Sequence, residues 1–80
     1  MTATEAIKAL ERGKCVGLAG VTNRYFRLYR NDTICQLNPT GACCATVELQ
    51  YTPDEFESEG FRMEFELYDP NTMKTISQVP

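Results

Sequence analysis

Two stretches of strict alternation between apolar and polar side chains constrain this chain more than any other feature. Along residues 45–51, Ala45, Val47, Leu49 and Tyr51 alternate with Thr46, Glu48 and Gln50; along residues 61–68, Phe61, Met63, Phe65 and Leu67 alternate with Arg62, Glu64, Glu66 and Tyr68. A period of two places every second side chain on one face of a strand, so each stretch predicts a strand with one face on a core and the other in water. One-sided strands of this kind belong to antiparallel sheets, because parallel sheets are covered on both faces and read as continuous apolar runs.

The remaining elements fit around these strands. Thr2 followed by Glu5 is a capping box, and Ala3, Ala6, Ile7 and Leu10 form the stripe of a helix that runs to about Arg12 and stops at Gly13. Cys15 to Leu18 reads as a short strand, and Ala19 to Asn23 as a loop. In Arg24–Arg30, Phe26 and Leu28 share one strand face while Tyr25, Arg27 and Tyr29 share the other. Asn31-Asp32 predicts a two-residue hairpin turn into Thr33–Leu37, since both residue types tolerate positive φ. Asn38-Pro39-Thr40-Gly41 reads as a break. Thr52, Pro53 and Glu55 open a second, short helix that Gly60 ends, with Phe56 as its anchor to the core. After the turn Asp69-Pro70-Asn71, residues 72–80 read as a frayed tail or a weak edge strand containing Met73 and Ile76. The expected fold is therefore α+β: an antiparallel sheet of four to five strands, an N-terminal helix packed on one face, and a short helix before the last long strand. With 80 residues the chain is read as a single domain, 1–80.

Composition narrows the chemistry. Four cysteines, Cys15, Cys35, Cys43 and Cys44, would suggest disulfides in a secreted chain, but charges from Glu5 onward leave no uninterrupted apolar stretch for a signal peptide or a membrane span. The thiols are therefore read as reduced and as small packing groups. Zinc is not expected, because the chain has no histidine and no C-x-x-C pair, and adjacent Cys43 and Cys44 would point to opposite faces of a strand. Catalysis is not expected either: Ser58 and Ser77 sit in no nucleophile motif, and Glu64 and Glu66, although paired on one strand face, are explained by a solvated surface. No cofactor is implied.

Charge is distributed unevenly. Residues 1–31 hold six bases against two acids, and residues 32–80 hold two bases against nine acids. Complementary halves of this kind favour pairing between copies, so a homo-oligomer is expected. Two candidate sites follow. Lys14, Arg24, Arg27 and Arg30 lie near Tyr25 and Tyr29, joining phosphate-pairing cations to stacking rings, a combination suited to an anionic small molecule or nucleic acid. Asp54, Glu55, Glu57, Glu59, Glu64 and Glu66 form the alternative, an acidic surface that imitates a nucleic-acid backbone towards a basic protein. Extended duplex DNA is not an expected ligand for a chain with this acidic excess.

The opening EAIKALERGKCV, the aromatic strand some ten residues on, the hairpin at Asn31-Asp32 and the closing TPDEFESEGFRMEF resemble a group of small bacteriophage and prophage accessory proteins, over about residues 4–68. Glu5, Ala6, Leu10, Gly13, Lys14 and Val16 fit the opening motif, and Phe56 and Phe61 the closing one. Gly17-Leu18-Ala19-Gly20-Val21 stands where the group often carries arginine and tryptophan, and Phe61 stands where it often carries tryptophan. Some members are similar to Thoeris anti-defence proteins, homo-oligomers that sequester cyclic ADP-ribose-type signalling nucleotides. The resemblance implies a non-enzymatic accessory protein in the bacterial host's cytoplasm, countering host defence by holding a nucleotide-like signal. The alternative, also in keeping with phage origin, is an acidic inhibitor of a defence nuclease, as anti-CRISPR proteins are.

Overall fold

The computed structural model describes residues 1–21, 23–40, 44–72 and 74–76, with the backbone alone described for residues 39, 40, 44 and 45. Two helices, α1 (Ala3–Glu11) and α2 (Pro53–Gly60), accompany six strands: β1 (Val16–Leu18), β2 (Tyr25–Tyr29), β3 (Thr33–Thr40), β4 (Cys44–Tyr51), β5 (Phe65–Asp69) and β6 (Lys74–Ile76). The strands form one sheet in the order β4-β3-β2-β1-β5-β6, with every neighbouring pair antiparallel. The expected α+β class is what is found. The sheet is one strand wider than expected, because Lys74–Ile76 pairs with β5.

Both helices begin as the sequence dictates. Thr2 accepts a hydrogen bond from the Glu5 amide while Glu5 accepts one from the Thr2 amide, and Thr52 and Glu55 repeat the exchange at α2. Four amides that would otherwise lack helical partners are thereby satisfied. Helix α1 buries Ala3, Ala6, Ala9 and Leu10 against the sheet, and Gly13 follows it with φ +83°. The core on this helix face contains Val16, Phe26, Ile34, Phe56 and Phe65. Phe26 meets Phe56 edge-on at 5.1 Å and Phe65 at 6.1 Å between ring centroids, arrangements that place the positive rim of one ring over the negative face of another.

Several local expectations are corrected. Asn31 and Asp32 do adopt positive φ, at 68° and 54°, but the loop spans three residues, Arg30–Asp32, because Tyr29 pairs with Thr33. No break occurs at Asn38-Pro39-Thr40: these residues pair with Thr46, Ala45 and Cys44. Gly41 and Cys43 lie outside the described residues, as do Met73 and residues 77–80. The last long strand begins at Phe65 rather than Phe61, so Phe61 and Met63, expected inside, are exposed. The chain there is still turning off α2, with the Met63 amide on the Gly60 carbonyl, and pairing with β1 starts only at Leu18 opposite Phe65.

Along β4, the alternation does not bury one face. A register shift between Gln36 and Leu37 pairs Gln36 with Leu49 but Leu37 with Val47, so Glu48 is the extra, bulged residue. Val47 and Leu49 consequently face opposite sides of an edge strand, and both are about half exposed. Tyr68, expected outside, is buried at 3% exposure for a separate reason: the face opposite the helices has its own small core of Tyr25, Cys35, Leu37 and Tyr68, with Cys15 packed against it.

Candidate functional site

The face opposite the helices gathers the aromatic and basic residues that alternation assigns to it. Val16 pairs with Phe26, and Arg27 with Cys35, so Cys15, just before β1, lies in a position neighbouring Arg27 on β2 and Cys35 on β3. Tyr25 and Tyr29 flank Arg27 along β2 on the same side. The expected trio is thus assembled, but its members are not equivalent.

Tyr25 is 5% exposed and stacks on Tyr68, with ring centroids 5.0 Å apart and planes 9° from parallel. Gly17 permits this stack, since a Cβ at that position would meet the Tyr68 ring at 3.2 Å. Burial raises the Tyr25 hydroxyl above its ordinary pKa, and the neighbouring Cys15 and Tyr29 push in the same direction while Arg27 opposes them. Its ring is therefore committed to the fold. Arg27 and Tyr29 are exposed, and the Arg27 guanidinium carbon lies 5.5 Å from the Tyr29 ring centroid, within cation–π range. They form the accessible part of the trio.

Arg24 leaves this face. Its Nε lies 3.7 Å from Glu48 Oε2 on the helix side, where the Gln36 side-chain amide also donates to Glu48 at 3.3 Å. Strand alternation accounts for the split, since Arg24 is two residues before Phe26 and one before Tyr25. Lys14 and Arg30 are exposed at positions adjoining the trio, Lys14 just before Cys15 and Arg30 at the start of the hairpin loop. The acidic candidates also separate. Asp54, Glu55, Glu57 and Glu59 project from α2, and Glu57 accepts a 3.4 Å hydrogen bond from Thr4. Glu64 lies 3.8 Å from the N-terminal ammonium, whereas Glu66 is on β5 opposite Gly17.

The two described thiols, Cys15 and Cys35, offer little nucleophilic power. Burial raises the Cys35 thiol above its ordinary value; it does the same to Cys15, where the Arg27 charge acts against the rise and Asp69 with it. Thiols shifted this way stay protonated at neutral pH and lack the thiolate that attacks electrophiles. Cys15 and Cys35 are free thiols. Among the described residues, no three His, Cys, Asp or Glu side chains converge as a metal site, and no helix is long and apolar enough to cross a membrane.

Sequence reasoning missed Tyr68 and the Gln36–Glu48–Arg24 row. The Tyr25–Tyr68 stack brings together residues 43 positions apart, and its one local trace is Gly17, the absent side chain that makes room. Comparison with family models, with curated proteins and with solved structures gives no match to this chain.

Proposed function

We propose that the protein is a non-enzymatic binding module that holds a nucleotide-like anion on the sheet face opposite its helices. The observation that carries this reading is the exposed Arg27–Tyr29 pair, with cation and ring side by side at 5.5 Å. Such a pair meets both parts of a nucleotide: the guanidinium donates to phosphate oxygens, and the ring accepts a base in stacking. Lys14 and Arg30, exposed at adjoining positions, add positive potential, while the Tyr25–Tyr68 stack beneath fixes the strand that carries the pair. An open sheet face suits capture better than chemistry, since the thiols nearest Arg27 are held protonated by burial.

The resemblance of residues 4–68 to phage accessory proteins supplies the setting. In that setting the module acts in the bacterial cytoplasm against host defence, as a self-associating sink for a signalling nucleotide. Native mass spectrometry of freshly purified protein reports copy number and retained nucleotide together. Calorimetry with ADP-ribose as the probe then tests the site. Arg27→Ala removes a charge-assisted contact of about 1.5–3 kcal/mol, which weakens binding roughly 10- to 100-fold with the fold intact by circular dichroism. Equal affinity in wild type and variant would refute the assignment of the site, and no heat with any phosphate-bearing probe would refute the anion.

A further inference from the structure

The helix face carries a groove that anion binding at Arg27 does not use. Phe26, Tyr51, Phe56 and Phe65 give it aromatic walls, and its polar lining comes from Gln36 and Glu59. Its volume of about 140 Å³ falls well below the ~300–1,000 Å³ of sites that enclose a whole small molecule. The space suits one inserted side chain.

The chemistry of the groove selects which side chain. Among the lining residues the charge is the Glu59 carboxylate, while Glu48, outside that lining, accepts a 3.3 Å hydrogen bond from the Gln36 amide. Glu48 already has two partners, Gln36 and the Arg24 guanidinium at 3.7 Å. Among the described residues, no base lies within ion-pair distance of Glu59. Aromatic faces attract cations, and the methylene stem of a long basic side chain packs on rings while its head reaches towards carboxylates.

The surroundings match a protein partner. Exposed Met63, which lines the groove, and exposed Leu49, opposite Gln36, give it an apolar margin, the arrangement of an anchor pocket ringed by water-excluding contacts. The exposed Asp54, Glu55 and Glu57 of α2 extend the negative potential beyond the groove. A basic segment is steered to such a surface, and an acidic one is repelled.

We propose that this groove seats an arginine or lysine side chain from a basic segment of a partner protein, gripped by the aromatic walls and by Glu59. The site lies on the opposite side of the sheet from Arg27 and stands or falls separately from anion binding.

The test uses ¹⁵N-labelled full-length protein titrated with three short synthetic peptides of equal length, carrying two central arginines, two leucines or two glutamates. The arginine peptide is expected to produce saturable amide shifts at Leu18, Gln36, Tyr51, Glu59 and Gly60, weakening as salt is added. Leucine and glutamate peptides bind more weakly. Glu59→Gln lowers affinity for the arginine peptide roughly three- to fivefold, the scale of a solvent-accessible ion pair. Arg27→Ala leaves it unchanged. The proposal is overturned if the leucine peptide binds as tightly as the arginine peptide, which would make this a plain apolar groove. It is equally overturned if Glu59→Gln binds as wild type does, if the shifts gather around Arg27 and Tyr29, or if no saturable shift appears at millimolar peptide.

Discussion

Gly60→Ala is the substitution that tests the packing of this fold most directly. Gly60 is the last residue of α2, and its backbone needs no positive φ, so helix propensity alone favours alanine there by roughly 0.5–1 kcal/mol. Tertiary packing opposes it. A Cβ at Gly60 would sit 2.8 Å from Phe65 Cζ and 3.1 Å from Cε2, and Phe65, 1% exposed, is wedged among Phe26 and Phe56. Overpacking of this kind costs about 1–3 kcal/mol. The net effect is therefore a loss centred on about 1 kcal/mol, with the helix term offsetting part of the clash. Urea denaturation followed by circular dichroism measures it; with a slope of about 1 kcal/mol/M, as suits a small domain, the midpoint falls by about 1 M. Phe65→Leu in the same background removes the contacted ring atoms, so the double mutant should show a favourable coupling of about 0.5–2 kcal/mol. A Gly60→Ala protein as stable as wild type, or more stable, would show that Phe65 moves aside at little cost and that the close approach is no constraint.

Two further outcomes follow from local electrostatics. The Glu5 carboxyl is held below its ordinary 4.5 by hydrogen bonds from the Thr2 backbone and side chain; because its folded pKa is depressed, its contribution is present above the unfolded value and fades as pH falls through the folded one. The stability gap between wild type and Glu5→Gln should accordingly shrink between pH 6 and pH 3 in urea titrations, and a gap that widens on acidification would contradict the capping account. Alkylation by iodoacetamide at pH 7.5, read by peptide mass mapping, should label half-buried Cys15 well before Cys35, which is 5% exposed; equal rates would mean that burial does not control them.

The sequence by itself determined the local structure. Capping boxes at Thr2 and Thr52, the αL glycine at position 13 and the positive φ of Asn31 and Asp32 are each set by a few neighbouring residues, so they were legible before any contact was known. Alternation in β2 likewise put Tyr25, Arg27 and Tyr29 on one face. What local pattern did not decide is which side chains on that face remain accessible. Tyr25 and Tyr29 are chemically identical and two residues apart, yet one is locked against Tyr68 and the other stands open beside Arg27, because only Tyr25 has β5 within reach across Gly17. Gly60 makes the same point: sequence reads it as a helix stop, whereas the structure keeps it helical and spends its missing side chain on Phe65. The β4 bulge, which turns Val47 and Leu49 to opposite faces, arises from pairing with β3 and has no signature within β4 itself. Propensity and capping act over a few residues, whereas accessibility is set by strand neighbours far apart in the chain, and for that reason the candidate site took its final form only in the tertiary structure.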